Sequence, residues 1–215
     1  MKPWVNEIQY GNPTDNYLPY LEKGGFDFVC DELQNYPFPE NDSDATRDEL
    51  RELIRFQNAP EQKDNEIITR FIKYDTSGID IFKEYCRDTI GTNMDKDIDQ
   101  CMEDVKYVIT KLKFRYQRPR PFQLARFYKA RLFPYASPTA VSPSYPSGHT
   151  TQAYVLAEFI GSKFPEHYEF LIELAQDVAI SRLFLGLHFS SDNDFGRLCA
   201  KKIVNTKEFA TKYGI

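Results

Sequence analysis

Residues 144–160 read SYPSGHTTQAYVLAEFI, and the change of pattern at Ser147 decides the fold class. Ahead of Ser147, Pro134, Pro138, Pro143 and Pro146 break any regular element, because each proline lacks a donor and restricts the residue before it. From Ser147 onward His149, Ala153, Leu156, Ala157 and Ile160 share one helical face. Working outward, Pro165 opens a second helix with Leu171, Leu174, Val178, Arg182 and Leu185 in its stripe and Gly186 as its stop. Ser191 and Asp194 give a capping-box signal for a helix running to about Val204. Upstream, residues 96–116 carry Ile98, Met102, Val105, Ile109 and Leu112, and Arg118-Pro119-Arg120-Pro121 ends that helix. Residues 78–90 form a shorter helix, Pro60 opens one carried by Ile67, Ile68, Phe71 and Ile72, and Thr46 with Glu49 caps another marked by Leu50, Leu53 and Ile54. No strand pair with a turn signal and no internal repeat appears. The chain reads as all-α, a single-domain helical bundle over 1–215, with an irregular segment, residues 1–42, draped over it.

At 215 residues the chain is long enough for one domain with a real core. The best apolar stretch, Ala153–Ile160, is interrupted by Glu158 and falls well short of a bilayer span. The start, Met1-Lys2-Pro3-Trp4-Val5-Asn6-Glu7, lacks the apolar core of a secretory signal. Cys30, Cys86, Cys101 and Cys199 are scattered, without a CxxC pair. These features predict a reduced, soluble, intracellular protein.

Charge is unevenly divided. Residues 1–104 hold 11 Lys/Arg against 24 Asp/Glu, residues 105–157 hold 9 Lys/Arg and no acid, and residues 158–215 hold 7 against 8. The central stretch either binds an anion or presents a basic face to the acidic half. Interleaved aromatics such as Phe114, Tyr116, Phe122 and Phe127 also suit single-stranded nucleic acid, but that reading leaves the histidines idle.

There are three histidines, His149, His167 and His188. His149 follows Ser147-Gly148 at a helix start, where free N–H groups and the dipole favour an oxyanion. Gly148 permits close backbone approach and Ser147 can cap or donate; a plain capped helix with a core histidine has the same pattern. Arg182 falls on an apolar stripe, where it needs an anion or a carboxylate. Asp192, four residues after His188, can hold its Nδ1–H and leave Nε2 electron-rich. Lys111, Arg118 and Arg120 complete the cationic set; Lys111 lies to one side of its apolar stripe, and the arginines alternate with stiffening prolines.

Lys111-x6-Arg118-Pro119, Pro146-Ser147-Gly148-His149 and Ser181-Arg182-x5-His188-x3-Asp192, in this order, resemble the signature of the type 2 phosphatidic acid phosphatase (PAP2) superfamily. That group includes class A acid phosphatases, lipid phosphate phosphatases and vanadium haloperoxidases. The resemblance spans 111–192, and Ser144-Tyr145-Pro146-Ser147-Gly148-His149-Thr150 looks most like the soluble acid phosphatases. It implies a helix bundle and a metal-free phosphomonoesterase whose nucleophile is His188, oriented by Asp192, with His149 as general acid and base. Lys111, Arg118, Ser147, Gly148 and Arg182 would hold the phosphate oxygens. It implies a bell-shaped pH profile on the acidic side of neutrality, a small phosphorylated substrate without nucleic acid, inhibition by vanadate, and a homo-oligomeric assembly. The alternative within the group is a haloperoxidase holding vanadate in the same pocket. Ser142 stands where the bromoperoxidases carry a second histidine, seven residues before the motif histidine.

Overall fold

A computed structural model describes residues 3–215; Met1 and Lys2, part of the stretch read for a signal, lie outside the described residues. Among the described residues there is no β-strand. The centre is α6 (Gly148–Lys163), which packs against α7 (Tyr168–Phe184) and α8 (Ser190–Val204). Ten of its residues, from Thr150 to Gly161, are buried, so it is enclosed on most sides. Around it stand α3 (Asn65–Tyr85) and α4 (Asp95–Tyr116), while α2 (Asp44–Gln57) lies against α7. Short helices α1 (Cys30–Leu33), α5 (Pro121–Ala125) and α9 (Lys207–Tyr213) complete the set; periodicity did not predict α5 or α9, since so few residues show no period.

Several boundaries differ from expectation, most of them through a polar side chain placed by the fold; in addition, Pro165 opens only a 3-10 turn (Pro165–His167) ahead of α7. The cap of α2 is Ser43, whose Oγ accepts from the Thr46 N–H at 3.1 Å, so Thr46 and Glu49 lie inside the helix and are buried. Pro60 opens only a 3-10 turn (Pro60–Lys63), and Asp64 caps α3 by accepting from Glu66 and Ile67. α3 joins most of what read as two helices: it runs on through a break at Ser77 (φ −138°, ψ 31°), ahead of Gly78, the Gly/Ser combination at which helices kink. α8 begins after Phe189, not Ser191, and the Asp192 carboxylate accepts the Phe189 N–H at 2.8 Å.

The N-terminal segment contains short 3-10 turns (Leu18–Leu21 and Asp27–Val29 among them) and runs along α4. Tyr20 donates to Glu103 at 2.6 Å, and Lys111 meets Asp27 at 2.5 Å. Gly25, at φ 53°, lies so close to α4 that a Cβ would stand 2.2 Å from the Asp104 carbonyl oxygen, a site only glycine fills. The main core joins α3, α4, α6, α7 and α8; a smaller cluster of Leu50, Leu53, Leu124, Leu132 and Phe189 seats α2 beside the start of α8. Among the described residues no helix is long and apolar enough to cross a membrane.

Candidate active site

The N-terminus of α6, the C-terminal end of α7 and the loop into α8 converge on a cavity of about 140 Å³. Its wall includes Lys113, Arg120, Gly148, His149, Arg182 and His188, with Tyr17 and Lys106 at one end. His188 is buried, and its Nδ1 lies 3.1 Å from Asp192 Oδ2. A carboxylate only accepts, so Nδ1 carries the proton and Nε2 keeps its lone pair. That lone pair faces Arg120, whose Nη1 lies 2.8 Å away. Burial, with Arg120 nearby, holds the His188 pKa well below the ordinary value, so the ring is neutral. Asp192 also accepts from Ser144, from the Phe189 N–H, and from Arg118 Nη1 at 2.6 Å. Burial acts to raise its pKa, but Arg118, His188 and Ser144 together hold it well below the carboxylate range.

The cations facing the cavity lack carboxylate partners or are only half satisfied. Arg120 donates to the Ser142 and Leu187 carbonyl oxygens at 2.8 and 2.9 Å, and burial beside Arg182 pushes its pKa down to about 10. Lys113 donates to the Pro143 carbonyl oxygen; burial and then Arg120 push its pKa well below a lysine's ordinary value. Arg182 Nη2 lies 2.7 Å from Asp75 Oδ1 as an ion pair, yet Nε, Nη1 and Nη2 make no well-directed hydrogen bond. Buried donors without acceptors are rare, and here they accompany a concentration of positive charge. A tetrahedral oxyanion would satisfy both at once.

His149 closes the far side. Its Nε2 lies 3.0 Å from the Asp75 carbonyl oxygen, next to the break in α3. Burial, then Arg182, pushes its pKa down to about 3. Asp75, which the sequence did not single out, accepts from Ser137 at 3.0 Å and Thr139 at 2.6 Å and carries the Arg182 ion pair. Burial works to raise its pKa, but Arg182, Thr139 and Ser137 outweigh it and hold the carboxyl below its ordinary value.

Of the residues singled out from the sequence, Arg120, Gly148, His149, Arg182 and His188 line this cavity, and Asp192 stands behind His188. Ser147 is the cap of α6: its Oγ accepts from Thr150 N at 3.4 Å, and it is fully buried outside the lining. Lys111 is elsewhere, paired with Asp27 in a separate surface cavity. Arg118 points behind the site, where Nη2 meets Glu49 Oε2 at 2.9 Å and Nη1 meets Ser191 Oγ at 2.7 Å. The frame that enters the cavity is therefore Lys113-x6-Arg120-Pro121, two residues on from Lys111-x6-Arg118-Pro119. Both frames satisfy the same spacing; only the side to which each residue turns separates them. Glu49 had no sequence signal beyond its place in an apparent capping box.

Residues 105–201 match the family profile described as the PAP2 superfamily, a stretch that holds every lining residue of this cavity except Tyr17. No curated protein sequence matches the chain. Among solved structures the chain is similar to a transmembrane PAP2-type phosphatidylglycerolphosphate phosphatase from Bacillus subtilis, at a TM-score of 0.55 and 20% identity over 91% of this chain and 94% of that one. It is also similar to a bacterial vanadium-dependent iodoperoxidase, at a TM-score of 0.59 and 20% identity over 79% of this chain. The match spans about half (52%) of the iodoperoxidase. At this identity the two structures speak for the fold, which is all-helical in the same manner.

Proposed function

Because residues 105–201 match the PAP2 superfamily profile, we propose that this chain hydrolyses phosphomonoesters by way of a phosphohistidine on His188. The carrying observation is the pairing of His188 Nδ1 with Asp192 at 3.1 Å, which turns the Nε2 lone pair toward Arg120 in a cavity where Lys113 and Arg120 have no carboxylate partner. Phosphate oxygens would replace the His188 ring as partners of Arg120 and supply the missing acceptors of Arg182. Lys113 and the Gly148 N–H complete the cradle, the electrostatic positioning that phosphoryl transfer depends on.

In the first step His188 Nε2 attacks phosphorus, the N–P bond forms, and the bond to the ester oxygen breaks. His149 gives its proton to the departing oxygen. In the second step water gives a proton to His149 while its oxygen attacks phosphorus, and the N–P bond breaks to release inorganic phosphate. His149 is neutral in the free enzyme because burial and then Arg182 depress its pKa to about 3. A bound phosphate dianion offsets those arginines and raises the pKa, so the substrate itself charges the acid that it needs. Vanadate has the shape and charge of phosphate; the same residues would hold it, His188 Nε2 as its ligand, and when bound it supplies the halide-oxidising chemistry of the haloperoxidases.

Hydrolysis of p-nitrophenyl phosphate from about pH 4 to about pH 9 with EDTA present, for the wild type and His188→Ala, tests this reading. Turnover abolished by the substitution, with an acid-labile phosphoenzyme trapped only in the wild type, is the expected result. A folded wild type without turnover overturns it and sends the site to vanadate, peroxide and halide.

A further inference from the structure

His149 belongs to two cavities. Besides the 140 Å³ space holding His188, a second space of about 360 Å³ adjoins it along Thr139, His149 and Gln152. A cavity near 150 Å³ takes about one six-membered ring, so the smaller space accommodates a tetrahedral oxyanion and little more. On the same scale the larger one takes about a dozen non-hydrogen atoms, within the size range of small-molecule sites. It is bordered by the break in α3 at Ser77, where Gly78 lies in van der Waals range of the His149 ring.

Resting on the phosphatase reading above, we infer that the larger chamber receives the alcohol half of the substrate, and that this half is an uncharged polyhydroxy alcohol. The group that protonates the leaving oxygen must stand where phosphate and alcohol separate, and His149 is where the two spaces meet. One wall, Ile79, Ala153, Leu156 and Val178, suits the carbon skeleton, while the Gln152 amide and the Ser77 hydroxyl face the chamber without hydrogen-bond partners in the protein and suit hydroxyl groups. The charged rim selects against a second anion. Asp80 and Asp99 stand there with Lys83, whose Nζ lies 2.5 Å from Asp99 and 3.7 Å from Asp80, so its charge is already answered. Asp75 is likewise occupied by Arg182.

Three substrates read this out: acetyl phosphate, whose leaving group is small, glucose 6-phosphate, and glucose 1,6-bisphosphate. The wild type is expected to favour glucose 6-phosphate over the bisphosphate in kcat/KM by about tenfold or more, because the second phosphate meets unanswered carboxylate charge. Asp80→Asn with Asp99→Asn, both on the exposed rim, should erase most of that preference by releasing Lys83. Ile79→Trp should lower the ratio of glucose 6-phosphate to acetyl phosphate by about tenfold or more, the scale on which a filled pocket discriminates. If Ile79→Trp does not fold, the rim variant alone decides. Ratios unmoved by the chamber variants, or moved by Tyr17→Ala instead, overturn the inference while leaving the phosphatase standing; failure to turn over any of the three removes the phosphatase reading and the inference with it.

Discussion

Lys111 and Arg118 precede Lys113 and Arg120 by two residues each, yet carboxylates neutralise the first pair and none pairs with the second. On α4 a step of two residues turns a side chain by about 200°, so Lys111 meets Asp27 on the N-terminal segment while Lys113 points into the interior. In the proline-stiffened stretch after α4, Arg118 turns to Glu49 and Asp192, and Arg120 turns to the Ser142 and Leu187 carbonyl oxygens and the His188 ring. Neutralised charge holds elements together; charge left unneutralised in a buried space is ready for an anion. The difference separates a neutralised frame from an unneutralised one that lines the cavity, within eleven residues.

The comparison breaks most visibly at the arginines. Arg120→Ala is expected to lower kcat/KM for p-nitrophenyl phosphate by about a hundredfold to a thousandfold, the effect of removing one preorganised donor, with a smaller loss of stability than Arg118→Ala because it strands carbonyl oxygens and no carboxylate. Retention of near-wild-type activity would place the binding frame elsewhere. Arg118→Ala should do the reverse in kind: it strands Glu49 and Asp192 as buried carboxylates, a loss of about 3–5 kcal/mol readable in urea denaturation. Some activity should also be lost, because Arg118 positions His188 through Asp192.

Acid sharpens the same contrast. His149 has its pKa depressed from 6.5 to about 3 in the folded protein. The unfolded chain therefore binds more protons in that window, and stability falls as pH drops from about 6.5 toward about 3, by up to roughly 1.4 kcal/mol per pH unit. The depressed pKa of Asp192 adds a further loss as pH falls below its ordinary carboxylate value of 3.8. Thermal melts across this range should show the decline. Inorganic phosphate should lessen it and move the His149 NMR titration upward; an unmoved titration would separate His149 from the anion site. The smallest effect belongs to Lys111→Ala. Its ion pair is partly exposed, so about 1 kcal/mol or less is expected, with kcat/KM within about twofold, whereas Lys113→Met should sharply weaken phosphate binding in calorimetry.

The helices were legible because their stripes are local: α4 and α6 follow the apolar spacing nearly residue for residue. His188 and Asp192 were legible as a pair for the same reason, four residues apart across a helix start. The break at Ser77 was legible as the gap between two helical patterns, but that one helix continues through it was not, because a kink and a gap look alike in the spacing. Glu49 and Asp75 were not legible, since each acquires its place from partners more than sixty residues away.

By itself, then, the sequence determined an all-helical chain and most of the residue types that line the cavity, because periodicity and short spacings are properties of neighbouring residues. Which of two overlapping Lys-x6-Arg-Pro frames faces the cavity was decided only by tertiary structure. Spacing is identical in both, and the choice rests on where Asp27, Glu49 and Asp192 stand once the helices have packed.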